Sequence, residues 1–137
     1  MGFLIDTCIW IDVEQGRLGP ADIAQYTGSA PVFLSPVTLA EMRLGIELAP
    51  SPDIRQKRLA TYRRMTRKPL LPIDADTADI FGELAALVSS GSARRKRSMD
   101  IWLASQAIQH GFGLVTRNEA DFRGIPGLQL VLIARTD

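Results

Sequence analysis

Residues 3–12 read FLIDTCIWID, and this segment sets the strand-to-helix pattern that the rest of the chain repeats. Its first three residues form a short apolar run that ends abruptly at Asp6, as a buried strand does. Ile9, Trp10 and Ile11 then indicate a helical turn or a short helix. The segment has no basic start and contains an acid at position 6, so it is typical of a folded strand and not of a signal peptide.

The remainder of the chain alternates short apolar runs with helical patterns. Four further runs predict strands, at residues 32–34, 70–73, 114–116 and 130–133. Helices are predicted between them, at residues 35–48, 53–68, 74–91 and 98–110. The run at 70–73 contains a proline, which favours a place near an edge of the sheet. These elements predict an α/β fold in one domain spanning residues 1–137, with a mainly parallel central sheet of about five short strands flanked by helices.

The composition is that of an ordinary globular protein. The chain has 137 residues, of which 46% are hydrophobic and 23% are charged, and this size fits one compact domain. Cys8 is its one cysteine, so an internal disulfide is excluded and a reducing, cytoplasmic location is predicted. No apolar run approaches the ~18–20 residues that span a bilayer, so no membrane association is expected.

The clustering of basic residues along the chain, and not the net charge, indicates a nucleic-acid partner. The net charge is only +1, with sixteen basic residues in all. Seven of the sixteen lie between Arg55 and Lys68, and four more form one run at residues 94–97. Such basic islands are typical of surfaces that contact phosphates, although solvated faces that keep a protein soluble have the same composition.

Polar residues follow two of the predicted strands. Asp6 comes directly after the first strand, and Thr116 and Asn118 stand at the end of the strand at 114–116. Ligands of open parallel sheets gather beyond the carboxyl ends of the strands. Asp6 therefore marks a candidate site, although an aspartate at this position also serves as a helix N-cap.

Glu41 is a second candidate acid. On a helix it shares a face with three apolar residues, Val37, Leu44 and Leu48. A carboxylate on an apolar stripe is costly unless a cation, a metal or a set of donors compensates it. The alternative is a partly exposed glutamate at the edge of the stripe, because the same helix has a second apolar face.

Asp100 repeats the pattern on the helix at 98–110. Leu103, Ala104 and Ala107 lie on its face of the helix. The alternative role is stabilisation of the helix dipole in a first turn capped by Ser98. Three acids that each face an apolar layer at the end of a strand or the start of a helix favour a shared site.

The residue types available favour metal-assisted hydrolysis. Clustered carboxylates without histidine or cysteine ligands suit a hard cation such as Mg²⁺ or Mn²⁺. The one histidine, His110, lies at a predicted helix end, which argues against zinc chemistry and a histidine-based triad. No glycine-rich phosphate-binding motif is present. Metal ions would activate a water molecule and neutralise charge on a phosphodiester.

Four blocks of the sequence resemble PIN domains in order and in spacing. They are FLIDTCIWID at 3–12, SPVTLAEMRLG at 35–45, MDIWLASQA at 99–107 and LVTRNEADF at 114–122, the last followed by GIPGL at 124–128. The short chain and the terminal block are most similar to the VapC-type toxins of bacterial toxin–antitoxin pairs.

This resemblance implies both an activity and partners. It implies a toxin that is a Mg²⁺- or Mn²⁺-dependent endoribonuclease, with RNA as its substrate. It also implies inhibition by a cognate VapB-type antitoxin and assembly as a homodimer. Asp6, Glu41 and Asp100 occupy the acidic positions of the family and are therefore predicted to bind the metal and to be catalytic.

The fourth acidic position of the site, called here its fourth corner, departs from the family pattern. Many members carry an acid two residues after the threonine of the last block, where this chain has Asn118. Asp121 is predicted to supply the fourth catalytic carboxylate, directly or through water, although it also reads as a turn-forming aspartate. Thr7 and Thr116 are expected to hydrogen-bond the acids or a bound water.

Basic residues near the acids are predicted to bind RNA phosphates. They are Arg94, Arg95, Lys96, Arg97 and Arg117. Two other hypotheses remain at this point. One is a PIN-like module that binds RNA or protein with little or no cleavage, because Asn118 replaces an acid. The other is a receiver-type phospho-acceptor domain, which lacks its acidic pair here because Asp6 stands alone.

Overall fold

The computed structural model describes residues 2–88 and 98–134. Within these residues the chain forms four strands and seven helices. In chain order they are β1 (Phe3–Ile5), α1 (Thr7–Glu14), α2 (Pro20–Thr27), β2 (Val32–Phe33), α3 (Pro36–Glu47), α4 (Pro52–Met65), α5 (Ala75–Val88), α6 (Ser98–His110), β3 (Gly113–Thr116), α7 (Glu119–Phe122) and β4 (Gln129–Leu132). The predicted α/β fold with a parallel sheet is confirmed.

The sheet has the strand order β2-β1-β3-β4, and every neighbouring pair is parallel. β1 and β3 are the central strands, and Ile5 pairs with Val115 at their carboxyl ends. Asp6 continues this pairing, because its backbone N–H donates to the Val115 carbonyl at 2.9 Å. The pairing therefore places Asp6 and Thr116 side by side at one edge of the sheet.

Helices cover both faces of the sheet, because alternate strand residues point in opposite directions. Leu4 and Leu114 belong to one apolar cluster, together with residues of α5 and α6. Ile5 and Val115 belong to a second cluster, which α1, α2 and α4 complete. Among the described residues, no helix combines the length and the apolar character that a bilayer-spanning helix needs.

The strand predicted at residues 70–73, the third in chain order, is wrong. Only Leu70 takes part in the sheet there, through one isolated parallel bridge with Leu34. Leu34 donates to the Pro69 carbonyl at 2.9 Å and accepts from the Leu71 N–H at 2.7 Å. Pro72 has no N–H to extend this ladder, so the pairing ends after one bridge.

The helix α2 was not expected from the sequence pattern. Gly19 is its N-cap and Pro20 stands at its first position. The Asp22 carboxylate accepts the Gly19 backbone N–H at 2.7 Å, which satisfies one free donor at the helix start. The predicted helices at 35–48 and 98–110 are confirmed as α3 and α6, and the Ser35 hydroxyl oxygen caps α3 by accepting the Val37 N–H.

Candidate active site

Asp6 lies at the junction of β1 and α1, where it is the N-cap of the helix. Asp6 is only 5% exposed to solvent. One carboxylate oxygen, Oδ1, accepts the Thr7 backbone N–H at 2.7 Å. The other, Oδ2, accepts the Thr116 hydroxyl at 2.8 Å and the Cys8 thiol at 3.3 Å. The N-cap role and the proximity to Thr116 that the sequence indicated are therefore both present.

The surroundings of Asp6 disfavour its negative charge. Burial raises the pKa of Asp6 most strongly, and hydrogen bonds from Thr116, Cys8 and Thr7 lower it only in part. The negative charge of Asp121 raises this pKa further. Asp121 therefore lies close enough to act on Asp6 electrostatically, and a cation bound beside them would relieve the repulsion.

Cys8 contributes a thiol and not a thiolate to this site. Burial, followed by the charge of Asp6, raises the pKa of Cys8 to about 12. Its Sγ lies 3.6 Å from Thr116 Oγ1, in addition to its contact with Asp6. A thiol that stays protonated at neutral pH is a weak donor and a poor nucleophile. Cys8 thus helps to orient Asp6 and adds no soft metal ligand.

Thr7 connects Glu41 to Asp6. The Thr7 hydroxyl donates to Glu41 Oε1 at 2.7 Å, while the Thr7 backbone N–H donates to Asp6. Burial raises the pKa of Glu41, the hydrogen bond from Thr7 lowers it, and the charge of Asp6 raises it. Glu41 and Asp6 therefore belong to one hydrogen-bonded and electrostatically coupled group, and Thr7 makes the hydrogen bonds to the acids that were expected of it.

The apolar stripe that singled out Glu41 is only partly buried. Val37 is buried, but Leu44 is 59% exposed and Leu48 is 69% exposed. The core residues of α3 come mainly from its other face, through Met42 and Ile46. Glu41 accordingly lies half-buried at the boundary between the two faces. Glu41 therefore has the expected apolar neighbour only on its amino-terminal side, at Val37.

Asp100 lies in the first turn of α6 and is half-buried. The residues that share its helical face, Leu103, Ala104 and Ala107, are fully buried as expected. α6 packs against both central strands, β1 and β3, and against α3. The structure thus anchors Asp100 to the layer that carries Asp6 and Glu41, and its part in binding a metal stays a prediction.

Asn118 and Asp121 lie shortly after β3, at the start of α7 and within it. Asn118 is the N-cap of this short helix, and its backbone N–H donates to Thr116 Oγ1 at 3.1 Å. The Asp121 N–H donates to the Asn118 carbonyl at 3.2 Å. Thr116 therefore accepts from Asn118 while it donates to Asp6, which links the fourth corner to the buried carboxylate.

The donors gathered around Asp6 are carboxylate and hydroxyl oxygens, the type that Mg²⁺ and Mn²⁺ prefer. The raised pKa of Asp6, with the like charges of Glu41 and Asp121 beside it, is a second observation that fits a cation. Across residues 2–88 and 98–134, no three His, Cys, Asp or Glu side chains stand close enough together to hold a metal ion as they are placed. Asp6 is coupled electrostatically to Glu41 and to Asp121, and a metal site built from these acids stays a prediction.

Arg117 has a partner that sequence reasoning missed. Its guanidinium forms an ion pair with Asp12, and the two side chains are 11% and 7% exposed. Arg17 contacts the same carboxylate at 3.3 Å. The predicted RNA contact of Arg117 stays a prediction, and the run at residues 94–97 lies outside the described residues. Cys8 and Asp12 stand inside the opening segment 3–12, two and six residues beyond Asp6, and their place in this segment was the available signal.

Comparison with known proteins defines the class. A sequence profile described as the PIN domain matches residues 3–128, so this chain belongs to the PIN domain family. The chain is similar to Ribonuclease VapC5 of Mycobacterium tuberculosis, with 35% identity over 133 residues that cover 96% of this chain and 93% of the relative. It is 30% identical to Ribonuclease VapC4 of the same organism over 130 residues, 95% of each chain.

Solved structures with the same fold include toxin–antitoxin complexes. The VapBC-5 structure from Mycobacterium tuberculosis matches with a TM-score of 0.77 and 28% identity, over 96% of this chain and 98% of that one. The DNA-bound VapBC of Salmonella typhimurium matches with a TM-score of 0.78 and 23% identity, over 98% and 99% of the two chains, and supports the fold alone. The predicted resemblance to VapC-type PIN domains is confirmed.

Proposed function

We propose that this protein is the toxin of a toxin–antitoxin pair and acts as a Mg²⁺- or Mn²⁺-dependent endoribonuclease. The relatives named Ribonuclease VapC support the ribonuclease assignment. The observation that carries it is Asp6, a buried carboxylate at the carboxyl end of β1 whose pKa is raised by burial and by the charge of Asp121. Such a group is poised to bind a cation.

The proposal gives each acid a role. Asp6, Glu41 and Asp100 would hold the metal, and Asp121 or Asn118 would complete the site. When bound, the ion lowers the pKa of a water molecule and offsets charge on the phosphodiester. Hydrolysis joins the water oxygen to phosphorus and breaks one P–O bond of the RNA backbone.

The threonines hold the acids in place for this chemistry. The Thr116 hydroxyl fixes one oxygen of Asp6 while the Thr7 backbone N–H fixes the other. The Thr7 hydroxyl fixes Glu41 in the same way. Partners of this kind typically change metal affinity or activity by 10–100-fold when they are removed.

A second candidate function follows from Asn118. An amide in place of an acid removes one negative charge from the fourth corner of the site, which weakens the hold on a cation. The alternative is therefore a PIN-like module that binds RNA or protein and cleaves poorly. The charge that Asp121 exerts on Asp6 favours the enzyme, because it supplies a carboxylate near the position that Asn118 leaves uncharged.

The partners belong to the same proposal. The similar VapBC structures support an antitoxin as the inhibitor of this chain. A homodimer is proposed from the exposed Leu44, in the last turn of α3, and the exposed Leu48, which is the C-cap of that helix. A cytoplasmic location is proposed because Cys8 is a free cysteine and RNA is the substrate.

Cleavage of RNA by the purified chain tests this function. We expect cleavage with Mg²⁺ or Mn²⁺ and none after EDTA is added. Asp6→Ala and Asp100→Ala should reduce the rate by at least about a hundredfold, the upper end of what residues that only orient a ligand contribute. Asp53→Ala, which removes an exposed aspartate from the first turn of α4, is the matched control and should cleave normally.

Three outcomes separate the hypotheses. Cleavage that survives EDTA, or that persists in Asp6→Ala and Asp100→Ala, contradicts the metal mechanism. RNA binding without cleavage by the wild-type chain favours the binding module. Loss of activity in the Asp53→Ala control would show that the assay responds to general surface charge, and it would count against the assigned site.

A further inference from the structure

The ion pair between Asp12 and Arg117 is more deeply buried than the other ion pairs of the described residues. Asp12 stands in the last turns of α1, and Arg117 stands between Thr116 and Asn118. The partners are 105 positions apart in the chain. The pair therefore joins α1 directly to the segment that leaves β3.

The segment 116–118 contacts α1 and its cap at three levels. Thr116 donates to Asp6 at 2.8 Å, at the start of the helix. Two residues after Asp6, the Cys8 sulfur accepts the backbone N–H of Arg117. Asp12 then holds the Arg117 side chain near the end of the helix. The ion pair is the charged member of a series of contacts that begins at the Asp6 carboxylate.

A role in binding RNA fits Arg117 poorly. An arginine that contacts phosphates presents its guanidinium to solvent, but this side chain is 11% exposed and turned toward a carboxylate. Its Nε is buried and makes no hydrogen bond to the part of the chain that the structure describes. Buried ion pairs often add little stability compared with apolar replacements, so we assign this pair a role in fixing geometry.

We propose that Asp12 and Arg117 are positioning residues, which hold the segment 116–118 against α1 so that the Thr116 hydroxyl orients Asp6. Neither residue touches the substrate or the metal in this role. The inference rests on the proposed function, because it explains how this chain keeps the central acid of that site in place. It assigns Arg117 to the support of the site and not to the RNA surface.

Four variants test the ion pair. Arg117→Ala removes the cation, and Arg117→Lys keeps the charge but loses the planar, two-pronged donor. Asp12→Asn removes the anion at constant size, and the double variant combines Asp12→Asn with Arg117→Ala. Arg123→Ala is the matched control, because Arg123 lies just after α7 and its pair with Glu119 is exposed. Thermal unfolding establishes that each variant is folded.

The enzymatic readouts are kcat and KM for RNA cleavage, together with Mn²⁺ affinity by calorimetry. We expect Arg117→Ala and Asp12→Asn each to lower kcat and Mn²⁺ affinity by about 10–100-fold at similar KM. The double variant should be no worse than the single ones, because both remove the same contact. Arg117→Lys should recover part of the loss, and Arg123→Ala should match the wild type.

RNA affinity measured in EDTA separates positioning from direct contact. If Arg117 positions Asp6, Arg117→Ala and Asp12→Asn leave this affinity unchanged. If Arg117 contacts RNA, Arg117→Ala weakens binding, while Asp12→Asn frees the guanidinium and strengthens it. The second pattern would overturn the proposal, as would unchanged kcat and Mn²⁺ affinity in a folded Asp12→Asn protein.

Labelling of Cys8 tests the ion pair even if the chain neither cleaves RNA nor binds Mn²⁺. Cys8 is the one cysteine of the chain, and it lies half-buried between Asp6 and the backbone of Arg117. Loss of the ion pair should loosen this segment and speed alkylation by N-ethylmaleimide about tenfold. Equal labelling rates in the wild type, Arg117→Ala and Asp12→Asn would contradict the proposal independently of the proposed function.

Discussion

Asp6 accepts hydrogen bonds at both carboxylate oxygens, yet its pKa is raised because burial outweighs those bonds. An aspartate that served only as a helix cap would gain more by lying at the surface, where water also solvates it. Active sites commonly retain groups of this kind at the expense of stability. The residue therefore has a role that folding alone does not explain.

The pH dependence of stability follows from this raised pKa. A carboxyl group whose pKa is higher in the folded than in the unfolded protein favours folding while it is protonated, and that contribution is lost as the pH rises through the folded pKa. Asp6→Asn should therefore raise Tm at pH 7 without metal by roughly 2–4 °C, the effect of about 1 kcal/mol in a domain of this size. The gain should vanish at about pH 3, where Asp6 is protonated in both states.

Asp74 provides the opposite case as a control. The Thr77 backbone N–H, followed by the Gln109 side chain, lowers the pKa of Asp74. This carboxylate favours folding while it is ionised, and its contribution is lost as the pH falls through the folded pKa. Asp74→Asn should therefore lower Tm at pH 7. A lower Tm for Asp6→Asn as well, measured by circular dichroism, would show that burial does not govern Asp6.

Local sequence predicted single residues well where the relevant contacts are close in the chain. The place of Asp6 after a buried strand and the cap formed by Ser35 both follow from short-range rules. The pair of Asp12 and Arg117 could not be predicted, because its members are 105 positions apart and only the pairing of β1 with β3 brings them together. The exposed Leu48 shows the same limit, since periodicity does not reveal which helical face is covered.

The site depends on the pairing of the two central strands, β1 and β3. Gly113 pairs with Phe3 at the start of both strands, and a Cβ added there would lie 2.9 Å from the Phe3 ring and 3.2 Å from Val131. Gly113→Ala should therefore lower the free energy of unfolding by about 1–3 kcal/mol through overpacking. Urea denaturation measures this loss.

Gly82 is the matched control for that substitution. It lies on the exposed face of α5, and a Cβ added there meets no atom within 4 Å. Gly82→Ala should raise the free energy of unfolding by about 0.5–1 kcal/mol, because alanine loses less backbone freedom than glycine on entering a helix. Equal effects of the two substitutions would contradict the tight packing assigned to the central strands.

Helices and strands were predicted correctly where the local signals agreed. The predictions failed where a proline or a glycine decided the outcome. The run at 70–73 is apolar enough for a strand, but the missing N–H of Pro72 limits it to one bridge with Leu34. The helix α2 starts at Gly19 and Pro20, residues that signal a loop and a helix start equally well. Its formation depends on Ile23 packing into the core, which the local pattern does not show.

At the scale of the whole molecule, the exposed leucines of α3 predict self-association. Leu44 and Leu48 are 59% and 69% exposed on one side of the helix. Leu44→Lys and Leu48→Lys should convert the proposed dimer into a monomer in sedimentation velocity, because a charge there opposes burial of the patch. Leu70→Lys, at a leucine that is 49% exposed, is the control. A dimer that survives both α3 substitutions would exclude this surface.

Metal binding tests the fold as a whole, because the fold couples Asp6 electrostatically to Glu41 and to Asp121, which come from distant parts of the chain. Calorimetric titration of Mn²⁺ into the wild-type chain and into Asp6→Asn is therefore the most direct measurement of the central claim. The account predicts saturable binding to the wild type and its loss in folded Asp6→Asn. Equal Mn²⁺ affinity of the two proteins would contradict it.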